Sequence, residues 1–162
     1  MSSSNQTGRK SPTAAQLRAW RSFIETSERV TGVIATRMQE QSGMSTGDYT
    51  VLLALSEAPG TRMRSSALAD HIGWERSRLS HHLGRMEKRG SVRRESAAAD
   101  SRGAEVCLTE SGARSFRAAS APHLHTVHDV FVQALTDEQI AAVEGAMRAI
   151  EAHLDARDGR PI

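Results

Sequence analysis

The chain has 162 residues, of which 38% are hydrophobic and 25% charged, so most of it should fold around a core. No apolar run approaches the roughly 20 residues that a membrane span requires, and the first residues lack the apolar stretch of a secretory signal. The single cysteine, Cys107, excludes an intrachain disulfide, which fits the reducing environment of a cytoplasmic protein.

The charge is unevenly distributed along the chain. The net charge is only +2, but residues 60–103 contain ten Arg or Lys and five Asp or Glu, so this segment carries +5 and the remainder −3. A basic middle segment between acidic flanks is typical of a module that binds a polyanion, although a solvated charged surface would show the same composition.

Apolar residues at helical spacing predict a long amphipathic helix from Thr13 to Glu40. We expect residues 1–12, which are polar, to form a disordered tail. The run from Ser45 to Asp48 is typical of a capping box and predicts the start of a second helix, which Ala58-Pro-Gly60 ends.

Two shorter helices should follow in the basic segment. The third is predicted from Ser65 to Ile72, capped by Ser65 or Ser66 and ended by Gly73 in a left-handed conformation. The fourth is predicted from Arg76 to Arg89, and Gly90 stops it. A short helix, a glycine turn and a second helix together indicate a helix-turn-helix.

Two strand candidates come next, at residues 91–95 and 104–108, and the polar segment 96–103 between them predicts a hairpin tip. Strict alternation in the second strand would direct Ala104, Val106 and Leu108 inward and Cys107 outward. Two strands with a basic tip, placed after two short helices, indicate a wing.

Two helices should complete the chain. Thr109 is expected to cap the fifth, which Pro122 should kink or break. Residues 136–139 form another capping box and open the last helix, whose apolar residues follow the 3-4-3-4 spacing of a coiled-coil seam. A narrow seam needs a partner helix, which could be the first helix of the same chain or a second subunit. The predicted dimerisation residues are Leu17, Trp20, Ile140, Val143, Met147, Ile150 and Leu154.

The fourth helix has two chemically different sides. At ~100° per residue, Leu79, Leu83 and Met86 share one side and should face the core. The opposite side offers small polar and basic groups, which can bond to base edges and phosphates in a major groove. The predicted DNA-binding residues of this helix are Ser77, Arg78, Ser80, His81, His82, Arg85 and Lys88, of which Ser80 and His82 lie on the flanks.

Basic residues in the wing should add contacts to the DNA backbone. We assign Arg93, Arg94 and Arg102 mainly to phosphates, with Arg102 also a candidate for minor-groove insertion. Asp100 would repel DNA, so we expect it to pair with a nearby arginine and hold the shape of the wing.

Several short motifs give the chain a family resemblance. The runs Leu68-Ala-Asp-His-Ile-Gly73, Arg85-Met-Glu-Lys-Arg-Gly90, Asp100-Ser-Arg-Gly103 and Leu108-Thr-Glu-Ser-Gly112, in this order of elements, resemble the multiple antibiotic resistance regulator (MarR) family. The resemblance spans roughly residues 17–154.

The resemblance implies a mainly α fold with a small β-hairpin wing, a winged helix-turn-helix carried by N- and C-terminal dimerisation helices. It also implies a homodimer whose two recognition helices read a pseudo-palindromic operator on double-stranded DNA, and repression relieved by a small, often aromatic or phenolic ligand. Asp100, Arg102 and Gly103 take the family's wing positions. Where many members begin the recognition helix with Ser or Thr, this sequence has Trp74-Glu75, so no operator sequence carries over.

We therefore divide the chain into five parts: a tail at 1–12, a first dimerisation helix at 13–44, a DNA-binding domain at 45–109, dimerisation helices at 110–156 and a flexible tail at 157–162. A ligand cleft is expected where the first, second and fifth helices meet the DNA-binding domain. Its candidate lining residues are Trp20, Phe23, Met44, Tyr49 and Phe116, each of which is also a candidate for the core.

Individual residues are compatible with three other functions. Cys107 could sense oxidants, but no resolving cysteine exists. A metal could bind His123, His125 and His128, completed by His153 or an acidic residue of a partner, although only His125 and His128 share a helix face. A winged fold can also bind proteins. No catalytic motif was found, so we expect neither enzyme activity nor a cofactor.

Overall fold

The computed structural model describes residues 11–96 and 104–158, which form a mainly helical fold with a small antiparallel sheet. The helices and strands follow one another along the chain as α1 (Ala14–Ser42), α2 (Thr46–Glu57), β1 (Arg62–Arg64), α3 (Ser65–His71), α4 (Arg76–Lys88), β2 (Val92–Ser96), β3 (Ala104–Leu108), α5 (Glu110–Val130) and α6 (Asp137–Asp158). Single 3-10 turns at Pro59–Thr61 and Val132–Ala134 connect α2 to β1 and α5 to α6.

The ends of α1 follow from local chemistry. The Thr13 hydroxyl accepts a hydrogen bond from the Gln16 N–H, and the Gln16 side chain accepts one from the Thr13 N–H, which completes a capping box. At the other end Gly43 adopts a left-handed conformation with φ 66°. The long first helix is thus confirmed, and its main packing partner is α5.

The start of α2 differs from the predicted capping box in one respect. The Ser45 hydroxyl accepts a hydrogen bond from the Asp48 N–H, as expected. The Asp48 carboxylate does not return to the Ser45 N–H, because it lies against Arg89 and His82 of α4 instead. This carboxylate therefore joins two helices.

The sheet contains a strand that the sequence did not reveal. β1 pairs antiparallel with β3, with Arg62 opposite Cys107 and Arg64 opposite Glu105, so the strand order is β1-β3-β2. Three residues are too short to show an alternating pattern. Because the strand continues to Arg64, the residue that precedes α3 is Arg64, and the predicted cap by Ser65 or Ser66 is wrong.

The predicted outward position of Cys107 is also wrong. β3 is the central strand, so Cys107 lies between Arg62 and Arg93 of its two neighbours, and its exposed fraction is only 2%. Burial, followed by the nearby Glu95 carboxylate, raises the pKa of the thiol. A protonated, covered thiol is a poor nucleophile, which does not favour oxidant sensing.

A single core joins α2, α3, α4 and the sheet. Its largest fully buried side chains come from every one of these elements: Val51, Leu52, Leu55, Leu68, Leu79, Leu83, Met86, Val92 and Val106. Fully burying such a side chain stabilises the fold by about 1.5–3 kcal/mol. The predicted inner face of α4, formed by Leu79, Leu83 and Met86, is therefore confirmed.

The C-terminal helices combine confirmed caps with one correction. Thr109 caps α5, and Thr136 with Gln139 forms the capping box before α6. Of the two effects expected of Pro122, a kink or a break, the break does not occur, since α5 continues through this residue to Val130. Within the described ranges, α6 packs extensively against no other element, and no helix there has the length and apolarity needed to cross a membrane.

Candidate nucleic-acid interface

The recognition helix of the fold is α4. The turn before it is made by Gly73 with φ 66°, and Leu79, Leu83 and Met86 fix its inner side in the core. The opposite side meets solvent. Six of the seven predicted DNA-binding residues of this helix are exposed there: Ser77, Arg78, Ser80, His81, Arg85 and Lys88.

The cations of this surface are held by neighbouring groups in different ways. The Arg78 guanidinium lies 4.2 Å from the centre of the Trp74 ring, a cation–π contact that leaves its edge free to donate hydrogen bonds. The Arg85 Nη2 lies 3.0 Å from His82 Nδ1. Lys88 and Arg85 stand in the last turn of α4, where the helix dipole favours positive charge.

His82 departs from the prediction that it contacts DNA. Its side chain is only 12% exposed, and Nε2 lies 2.9 Å from the Asp48 Oδ1 on α2. The ring packs edge-on against Trp74, with centroids 5.2 Å apart. We therefore expect His82 to support the interface from behind rather than to contact a base edge.

Arg94 ties the wing to the recognition helix. Its Nε and Nη2 donate to the Glu87 Oε2 at 3.0 and 2.7 Å, while its backbone N–H donates to Oε1 at 3.0 Å. These hydrogen bonds lower the pKa of the Glu87 carboxyl. We expect this pairing, rather than a phosphate contact, to be the main role of Arg94, although its side chain remains exposed.

Replacement of Arg94 by alanine should consequently act on the wing rather than on DNA contacts. We expect a stability loss of about 1 kcal/mol or less, because the pair is partly exposed. The salt dependence of DNA binding should stay unchanged, since no phosphate contact is lost. Thermal unfolding and a salt titration measure the two effects. If the slope of log affinity against log salt concentration fell by about one ion in the variant, Arg94 would contact a phosphate after all.

The outer face of the sheet also carries paired charges. Arg93 donates to Glu95 on the same strand, and Arg62 of β1 lies 3.6 Å from Glu105 and 3.9 Å from Glu95. Arg93 remains exposed and can still approach a phosphate. The predicted wing residues Asp100, Arg102 and Gly103 lie outside the described residues.

Thr109 and Gly112 form a joint that the sequence analysis did not assign. The Thr109 Oγ1 lies 2.6 Å from the Gly90 carbonyl and 3.0 Å from that of Ser91, and it accepts from the Gly112 N–H at 3.0 Å. A Cβ at position 112 would lie 2.0 Å from the Ser91 oxygen. This close approach holds the end of α4 and the start of β2 against α5. The sequence signal for this contact was the Leu-Thr-x-x-Gly motif at residues 108–112.

The candidate metal and ligand residues are distributed differently from the predictions. His123 packs against Tyr49 at 4.4 Å between centroids, and Tyr49 against Phe116 at 5.1 Å. Burial lowers the pKa of His123. His125 and His128 are exposed, and within the described ranges no three His, Cys, Asp or Glu side chains are gathered as a metal site.

The five candidate ligand-lining residues fall into two groups. Met44 is buried in the core, and Tyr49 and Phe116 pack against it. Trp20 and Phe23 pair with each other, 6.1 Å apart, on the exposed first half of α1. A single cleft lined by all five is therefore not formed within this chain.

A helix-turn-helix on a shared core, an exposed basic recognition helix and an antiparallel wing define a DNA-binding protein of the winged helix-turn-helix class. A family model described as MarR family matches residues 42–103. A comparison with curated protein sequences found no match.

Two solved structures are similar over almost the whole chain. AbsC, a MarR family transcriptional regulator from Streptomyces coelicolor, is 33% identical with a TM-score of 0.84, covering 91% of this chain and 99% of its own. Sco3205, a MarR family regulator of the same organism solved in complex with DNA, is 33% identical with a TM-score of 0.87, covering 91% and 92%. The chain belongs to the MarR family of transcriptional regulators.

A more distant structure shares the fold alone. PcaV from Streptomyces coelicolor, solved in complex with its natural ligand, is 20% identical with a TM-score of 0.71, covering 88% of this chain and 97% of its own.

Proposed function

We propose that this regulator acts as a homodimer that binds a pseudo-palindromic operator and represses transcription from it. The observation that carries the proposal is the exposed polar and basic side of α4, fixed from behind by Leu79, Leu83 and Met86. Sco3205, a relative of similar length that was solved in complex with DNA, supports DNA binding by this fold. One α4 of each subunit would enter one of two successive major grooves.

We assign each side chain to a base or a phosphate by its length and its position on α4 or the wing. Arg78, Arg85 and His81 are placed at base edges, where arginine can donate two hydrogen bonds to guanine. Ser77, Ser80 and Lys88 are placed at phosphates or bases near the ends of the helix. Arg93 and Arg102 are assigned to the backbone contacts of the wing.

Apolar surface on the terminal helices supports the dimer. Trp20 on α1, Leu124 on α5 and Leu154 on α6 are 61%, 63% and 52% exposed in the single chain. Exposed large apolar side chains on each of the terminal helices favour an interface there. This proposal includes a DNA-binding domain at 45–109, flanked by dimerisation helices at 13–44 and 110–156. We also propose that the protein is located in the cytoplasm.

We also propose that a small aromatic ligand relieves repression. The rings of Tyr49, Phe116 and His123 lie together where α2 meets α5, between the DNA-binding domain and the dimerisation helices. A ligand that binds one spacing of the two recognition helices better than the other would change operator affinity by that difference. Titration of aromatic acids and phenols into the protein–DNA complex tests this.

The DNA contacts can be tested on a duplex selected from random sequences by the protein itself. Arg85→Ala should weaken binding to this duplex about tenfold, the size of a lost base contact. Lys88→Ala should reduce the salt slope by about one ion if it contacts a phosphate.

Arg148→Ala is the matched control, since it removes the same charge from the exposed surface of α6. If Arg85→Ala binds the selected duplex as well as Arg148→Ala does, the placement of α4 in the groove is wrong. Binding with little salt dependence would favour a protein partner instead.

A further inference from the structure

Four polar side chains connect α2 to the DNA-facing side of α4. The Asp48 Oδ1 of α2 lies 2.9 Å from His82 Nε2 and 2.7 Å from Arg89 Nη2. On the other edge of the imidazole, His82 Nδ1 lies 3.0 Å from Arg85 Nη2. The contacts thus run from a half-buried carboxylate, through a ring, to an exposed arginine.

The direction of the hydrogen bond between Arg85 and His82 follows from the groups themselves. A guanidinium can only donate, so His82 Nδ1 must accept from Arg85. The neutral ring then carries its proton on Nε2, which lies 2.9 Å from the Asp48 carboxylate but outside the geometry of a hydrogen bond to it. Desolvation, reinforced by Arg85 and Arg89 and opposed by Asp48, lowers the pKa of His82, so the ring is neutral at physiological pH.

The position of the ring is fixed sterically as well. A Cβ at Gly47 would lie 2.9 Å from His82 Cε1 and 3.1 Å from the Trp74 ring, so only glycine leaves room for both. Trp74 in turn contacts the His82 ring edge-on. The imidazole is therefore held on two sides and presents Nδ1 to Arg85.

We propose that His82 is a positioning residue for DNA reading, seated by Asp48, and that it fixes the guanidinium of Arg85 in the orientation that meets the duplex. The inference rests on the proposed placement of α4 in a major groove. An arginine already held by one hydrogen bond loses less side-chain entropy when it binds, and its remaining N–H groups are directed.

At low pH, protonation of His82 should break its hydrogen bond with Arg85. The titratable and charged groups that face the ring are Asp48 from α2 and Arg85 and Arg89 from α4, while Trp74 does not titrate. Protonation of Nδ1 removes the acceptor that His82 offers to Arg85 and adds a positive charge beside it. Discrimination between the selected duplex and random DNA should therefore fall below the pKa of His82, whereas general electrostatic attraction rises.

Two substitutions of His82 test the roles of its two ring nitrogens separately. His82→Gln places a donor near Nε2 and loses the acceptor at Nδ1, whereas His82→Asn places an acceptor near Nδ1 and loses the contact with Asp48. In the whole 162-residue chain, we expect His82→Gln to lower the affinity for the selected duplex about fivefold to tenfold, the size of one positioned hydrogen bond. His82→Asn should stay within about twofold of the original.

The double variant with Arg85→Ala distinguishes positioning from support of the fold. If His82 acts through Arg85, His82→Gln should cost nothing further in that background. An equal loss in both backgrounds overturns the inference, as does equal binding by the Gln and Asn variants. If Arg85→Ala binds the selected duplex normally, both this inference and the proposed contact of Arg85 with DNA are overturned. If Arg85→Ala binds more weakly but His82→Gln binds normally, only this inference is overturned.

Unfolding of the variants is followed by circular dichroism. If His82→Gln does not fold, the original protein provides the test: its preference for the selected duplex over random DNA should fall about fivefold or more as the pH is lowered across the range in which the His82 ring takes up a proton, below the ordinary range of histidine. A constant preference across that range would overturn the proposal.

Discussion

Replacement of Gly112 by alanine should destabilise the protein by about 3 kcal/mol or more. The added Cβ would lie 2.0 Å from the Ser91 carbonyl oxygen and 2.9 Å from its carbon, and both are backbone atoms that no rotamer change can move. Relief requires α5 to separate from the start of β2. That movement would also lengthen the contacts of Thr109 with the Gly90 and Ser91 carbonyls.

The measurement is denaturant unfolding, with Gly145→Ala as the control. Gly145 lies within α6, and nothing surrounds the position of its Cβ within 4 Å. Alanine there should stabilise the helix slightly, by up to about 1 kcal/mol, through its higher helix propensity. If both glycine variants unfold at the same denaturant concentration, the contact between α5 and Ser91 is not as close as described.

Most of the fold could be predicted because local signals agree with the tertiary structure. Predicted caps at Thr109 and Thr136 marked the starts of α5 and α6, and apolar spacing gave α1 to within a few residues. Helical spacing identified the inner side of α4 correctly. Each of these features depends on neighbours in the chain, so the sequence alone carries it.

The errors share a different cause, because each depends on residues that are distant in sequence. Cys107 is covered because β1 adds a neighbour to β3, and the three residues of β1 carry no pattern of their own. His82 turns inward because Asp48, 34 residues earlier, offers a carboxylate at the right distance. A helical wheel gives the direction of a side chain but not its partner.

Introducing aspartate at both Ile150 and Leu154 should have the largest effect on function. Both residues belong to the apolar seam of α6, and they are 47% and 52% exposed in the single chain. In the proposed dimer they would be buried against the partner subunit, where an unpaired carboxylate costs several kcal/mol. We therefore expect the double variant to be monomeric in analytical ultracentrifugation.

DNA affinity should fall with the dimer, by about 100-fold or more, because one recognition helix no longer raises the effective concentration of the other at its half-site. Aspartates at Ala149 and Ala152 are the matched control. They add the same charge to the same turns of α6 but, at ~100° per residue, lie on the side away from the seam. The control should remain dimeric and bind the duplex normally. Loss of the dimer without loss of affinity would mean that one subunit reads the whole operator, and an unchanged dimer would mean that the seam of α6 is covered by something other than a second copy.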